Sequence, residues 1–134
     1  MNTPNQIPEI IELRQLIRTG DSPNSPHLIQ KWLHIESCCA NRRGLKPCQR
    51  CDKGRQQNHF EQQFYLLLDT ISDELINPQW RCMCLDYIYR PLHVLHQLIE
   101  NEQDRIHWQQ LRLELALCSH YVADGLSQTR REAL

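Results

Sequence analysis

The chain has 134 residues, 40% of them hydrophobic and 23% charged, with a formal net charge of −1. That suits one compact domain burying roughly two thirds of its unfolded surface, and it excludes a multidomain enzyme and a disordered chain. Charges and glutamines interrupt every apolar run before the roughly 18 residues that a membrane span needs.

Apolar residues recur at helical spacing along most of the chain. Ile7, Ile10, Ile11, Leu13, Leu16 and Ile17 make a first stripe, with Pro8 suited to a first-turn position. Glu9 and Glu12 lie near the positive end of this helix and Arg14 and Arg18 near its negative end. Gly20 stops it, and Ser25-Pro26 pairs an N-cap with a first-position proline to open a second helix. Leu28, Ile29, Trp32, Leu33 and Ile35 supply its buried face, which fades before Gly44. Arg42 to Arg55 breaks the pattern. Periodicity resumes at Phe60, Phe64, Leu67, Leu68, Ile71 and Leu75 and ends at Asn77-Pro78. A fourth segment runs from Trp80 to about Ile99, and Pro91 predicts a kink in it or a break just before. The last helix uses Ile106, Leu111, Leu115, Cys118 and Val122, with Asp104 as its N-cap and Gly125 as its stop.

These segments predict an all-α fold, an antiparallel bundle of about five helices. A cysteine-containing loop should join helices 2 and 3. One helical domain should span 1–134, with a metal-site loop at about 38–59 and a frayed tail at about 128–134. Seven cysteines behind a start, Met1 to Glu9, that lacks the pattern of an export signal predict a reducing, cytoplasmic setting.

The informative stretch runs from His34 to His59. Cys48 and Cys51 form a Cys-x-x-Cys pair, stiffened by Pro47, which places two thiolates where one tetrahedral ion can take both. Cys38 and Cys39 end the second helix. Cys39 aligns with the buried stripe, whereas Cys38 lies four residues after His34 and shares a face with it. His34, Cys38, Cys48 and Cys51 are therefore the candidate ligands, with Cys39 and His59 as alternates. Cys82 or Cys84 is a further rival if a neighbouring helix brings it alongside. Zinc is the expected ion, because three cysteines completed by histidine close loops in small domains. Free thiols in an ordinary loop are the plainer alternative.

An adjacent-cysteine pair followed by Cys-x-x-Cys is similar to the cluster motif of ferric siderophore reductases. That resemblance implies an iron–sulfur cluster as the second choice of cofactor. It covers the 14 residues from Cys38 to Cys51. In that family the gap is somewhat longer and the motif sits near the chain end, and nothing else in the chain matches.

Arg42, Arg43, Lys46, Arg50, Lys53 and Arg55 surround the cysteines with a single acid, Asp52. The local balance is +5, against −6 for the remainder, so a nearly neutral chain is polarised. Six cations on a rigid loop suit phosphates or an acidic protein surface. No aromatic residue interleaves them, so base stacking on the loop is not expected. The loop could instead dock on the chain's own acids, Glu100, Glu102 and Asp104.

Other groupings read as structure. His93 and His96 share a helical face but lack partner carboxylates for a di-metal site. Cys118 suits a core position, Cys118 and His120 diverge on a helix, and no phosphate-cradling glycine loop occurs. The sequence thus predicts a small cytoplasmic regulatory or adaptor protein, not an enzyme. Its zinc-stabilised basic loop should bind nucleic acid or an acidic protein partner. The alternatives are an iron–sulfur electron-transfer or iron-sensing module on the same cysteines, and a metal-free helical interaction module. Whether the chain forms a homo-oligomer is left open.

Overall fold

A computed structural model describes residues 8–21, 25, 27–36 and 52–133, the side chains of 8–9 and 121–133 excepted. Six helices occupy the described residues: α1 (Pro8–Thr19), α2 (His27–Ile35), α3 (Lys53–Ser72), α4 (Pro78–Tyr87), α5 (Tyr89–Gln97) and α6 (Glu102–Ala133). The chain is an all-α bundle, as the periodicity predicts, and no described residue lies in a strand. The sixth helix arises because the fourth predicted segment breaks at Ile88. The break puts Pro91 in the first turn of α5, where a residue has no intrahelical donor to lose.

α3 is the central helix and packs against α1, α4, α5 and α6. Its partners give the directions of the others. Lys53, Glu61 and Ser72 of α3 meet Asp104, His107 and Cys118 of α6 in that order, so the two helices run the same way. Along α1, Arg14 stands by Glu36 after α2, while Arg18 reaches Asp73 after α3 at 2.9 Å. α1 therefore also runs with α3, and α2 returns beside α1. α4 starts at the far end, where Arg81 Nε donates to the Ile71 carbonyl at 2.7 Å. α5 ends back at Lys53, which bonds Glu100. The connectivity is up and down throughout, with α1, α3 and α6 sharing one direction.

The core fills the space these helices enclose. Trp32, Phe60, Phe64, Leu67, Ile71, Trp80, Leu111 and Leu115 are buried, each large side chain contributing about 2 kcal/mol. Trp80 Nε1 donates to the Ile17 carbonyl at 2.8 Å, which joins the start of α4 to the end of α1. Gly20 closes α1 in the left-handed region, φ 64°, and packs directly against Trp80 and Ile76.

Four boundaries differ from expectation. α3 begins at Lys53, before any aliphatic stripe, because Asp52 caps it by accepting from the Arg55 N–H at 2.8 Å. Residues 53–59, expected in the loop, are therefore helical, and Gly54 sits in a first turn. α3 closes at Asp73, so Leu75 lies beyond it and is 94% exposed. The α6 cap is Asn101, whose Oδ1 accepts from the Asp104 N–H at 2.8 Å, which frees the Asp104 carboxylate for other partners. Finally, α6 runs through Gly125 to Ala133, past the stop that the sequence predicts at Gly125. One interior glycine costs a helix only about 1 kcal/mol relative to alanine, too little to end it among good helix formers.

Candidate functional site

The segment that carries the sequence's candidate site, residues 37–51, leaves α2 after Glu36 and returns at Asp52. Cys38, Cys39, Cys48, Cys51, Arg42, Arg43, Lys46 and Arg50 lie outside the described residues. His34, His59, Lys53 and Arg55 lie within them. Both flanks of the segment are built into the bundle.

The departing flank is held by a buried polar knot. Glu36, 2% exposed, pairs its carboxylate with Arg14 of α1. Its backbone carbonyl accepts from Gln63 Nε2 at 2.5 Å and from the His59 ring, both on α3. Three helices are thus tied at one residue. The second carboxylate oxygen of Glu36, Oε2, is buried and has no hydrogen-bond partner among the described residues. The ring state of His59 follows from chemistry: a carbonyl oxygen only accepts, so Nε2 carries the proton and the lone pair is on Nδ1. Burial, reinforced by the Arg14 charge, pushes its pKa down to about 4, so the ring is neutral at pH 7. A neutral imidazole whose second nitrogen donates to a backbone carbonyl is the arrangement that metal-binding histidines use.

His34 is placed differently. It is exposed on α2, whereas His59 is half-buried at the point where the segment departs. Cys84 is fully buried in the core, where burial pushes its thiol up to about 12. Cys118 shares a 3.0 Å hydrogen bond with Ser72, as a helix-packing residue. Among the described residues, no group of three or more His, Cys, Asp or Glu is placed to hold a metal ion.

The returning flank is electrostatic. Lys53 Nζ is 3.1 Å from Glu100 and bonds Asp104 as well. The Asp104 hydrogen bond holds the lysine above its ordinary pKa, and the lysine in turn holds the Asp104 carboxyl below its own. Two of the three acids considered as internal counterparts therefore do engage one cation of the basic run. The third, Glu102, pairs with Arg105. Arg55 is exposed. Beside this corner, a shallow polar groove of about 420 Å³ runs between α3 and α6, where Glu61 meets His107.

Apolar periodicity does not report the knot at Glu36, although the sequence carries a signal for it. Glu36 follows Ile29, Trp32 and Leu33 at helical spacing, and Gln56 and Gln63 bracket Phe60 in the same way. Polar residues on a buried stripe mark a satisfied interior network.

In comparisons with known proteins, the chain matches no family model, no curated protein and no solved structure. No described helix is long and apolar enough to cross a membrane.

Proposed function

We propose that this chain is a small helical regulatory or adaptor protein whose basic segment is pinned by a zinc ion and binds an anionic partner. Cys38, Cys48 and Cys51 supply three thiolates and His59 supplies the fourth ligand, in place of His34. The observation that supports this reading is the His59 ring, neutral and oriented by the Glu36 carbonyl, two residues from Cys38 in sequence. A closed site of this kind is structural: it fixes a loop and leaves no open position for a reacting group. The partner is nucleic acid or an acidic protein surface, contacted by Arg42, Arg43, Lys46, Arg50 and Arg55. Lys53 is not among these contacts, because Glu100 and Asp104 already neutralise it.

Salt-titrated binding of a duplex oligonucleotide to the full chain tests the reading, with and without Cys48→Ser plus Cys51→Ser. The expected result is affinity that falls steeply with salt and disappears in the double variant. Affinity that ignores salt, or survives loss of both cysteines, contradicts it. An iron–sulfur cluster on the same cysteines would appear in the same preparation as brown colour.

A further inference from the structure

A second surface, remote in sequence from the Cys38–Cys51 segment, carries what the basic segment lacks: aromatic rings among its cations. α5 is nine residues long, and its outward face presents Tyr89, Arg90, His93 and His96, all exposed. Tyr89 alone is 55% exposed. α6 lies alongside and adds Trp108, half-buried, and Arg112, exposed. The rings and guanidinium groups are already ordered against each other. His96 and Trp108 have centroids 4.6 Å apart, and the Arg112 guanidinium lies 5.7 Å from the Trp108 centroid. Trp108 Nε1 donates to the Leu92 carbonyl at 3.0 Å, which fixes the indole between the two helices. Arg90 lies 5.0 Å from the ring centroid of Tyr87, a residue held in turn by a 2.5 Å bond from Gln30.

The charge of this face is one-sided. No carboxylate occurs from Tyr87 to Ile99 or from Arg105 to Leu113. The acids around it are engaged elsewhere or lie at its edges. Glu102 holds Arg105, Asp104 and Glu100 hold Lys53, Glu114 lies beside Tyr65 of α3, and Asp86 stands at the end of α4. Arg14, Arg18 and Arg105 are all in ion pairs, whereas Arg90 and Arg112 form none among the described residues and rest on aromatic rings instead.

We infer that the α5–α6 face is a binding surface for single-stranded nucleic acid. Bases stack on Tyr89 and on the outer side of the His96–Trp108 pair, while Arg90 and Arg112 contact the phosphates between them. Unstacked bases offer flat faces that such rings accept whatever the sequence, and arginine serves both stacking and phosphate. An acidic protein surface would match the arginines but would leave the exposed tyrosine and the ordered imidazole–indole pair without a role. The surface is independent of the metal reading and needs no cysteine.

The test is binding of a fluorescein-labelled oligothymidylate to the full chain, with intrinsic tryptophan emission as a second readout. Trp32 and Trp80 are buried, so an oligonucleotide docked here quenches Trp108. Tyr89→Ala should weaken binding about tenfold, the loss of one base–aromatic stack, and Tyr89→Phe should restore it. Arg90→Ala with Arg112→Ala should reduce the slope of log affinity against log salt by about 1.4. The loss on Tyr89→Ala should persist in a Cys48→Ser plus Cys51→Ser background, which separates this face from the basic segment. Two results overturn the proposal: a combined Tyr89, Arg90 and Arg112 alanine variant that binds like the parent, or polyglutamate displacing the oligonucleotide with no effect of Tyr89→Ala. The side chains of Tyr89, Arg90 and Arg112 are exposed, and an unchanged far-ultraviolet circular dichroism spectrum confirms the fold of each variant.

Discussion

The imidazole of His59 donates to the backbone carbonyl of Glu36, and this bond joins the second turn of α3 to the residue that follows α2. Arg14 reaches the same glutamate from α1, so one residue gathers three helices where the cysteine segment begins.

This knot predicts an acid-sensitive fold. The folded-state pKa of His59 is near 4, against an ordinary value of 6.5. The unfolded chain therefore binds this proton more readily, and stability falls as pH drops from about 6.5 to about 4, then levels off. The expected loss is about 3 kcal/mol across that window. His59→Gln keeps a donor for the Glu36 carbonyl and removes the titration. Urea melts of the metal-free protein from pH 7 to pH 4 should show a flatter dependence for the variant; an equal dependence would place the titrating group elsewhere.

Gly20 should tolerate no side chain. Its φ of 64° disfavours any other residue, and an added Cβ would lie 3.0 Å from Ile76 Cγ2 and 3.1 Å from Trp80 Cδ1. Gly20→Ala should destabilise by about 2 kcal/mol, from backbone strain and crowding together. A thermal midpoint unchanged by the substitution would contradict the packing of α1 on α4.

Gly125 should behave in the opposite way. Inside a continuous α6, Gly125→Ala adds about 1 kcal/mol of helix propensity and should raise both helicity and the thermal midpoint. Were the glycine a left-handed stop, the same change would lower stability. Circular dichroism distinguishes the two.

Lys53 should prove dispensable for binding an anionic partner. Its ammonium is committed to Glu100 and Asp104, so Lys53→Ala should leave duplex affinity within about twofold and its salt slope unchanged. Arg43→Ala and Arg50→Ala should each reduce that slope by about 0.9. A loss on Lys53→Ala as large as theirs would mean that the lysine leaves its acids to join the partner.

Much of the bundle is legible in the chain because helical spacing of Phe60, Phe64, Leu67 and Ile71, or of Leu111 and Leu115, reports burial directly. The errors fall where a polar contact decides. The start of α3 depends on the Asp52 cap, and its end on Asp73 with Arg18 across the bundle, neither of which apolar periodicity records. Ile106, placed in the stripe of the last helix by its apolar character, is 47% exposed, because five residues to Leu111 is not a helical spacing. At the site, Cys-x-x-Cys and the basic run are visible as composition and spacing. That the His59 ring meets the Glu36 carbonyl is not, because the contact joins residues 23 apart in sequence.

Metal analysis of protein purified without oxygen, read with the visible spectrum, tests the central claim most directly. The account predicts one zinc per chain, no visible absorption, and loss of the metal in His59→Ala but not in His34→Ala. Metal-free protein whose thermal stability does not respond to chelator, or protein carrying iron and sulfide, would contradict it.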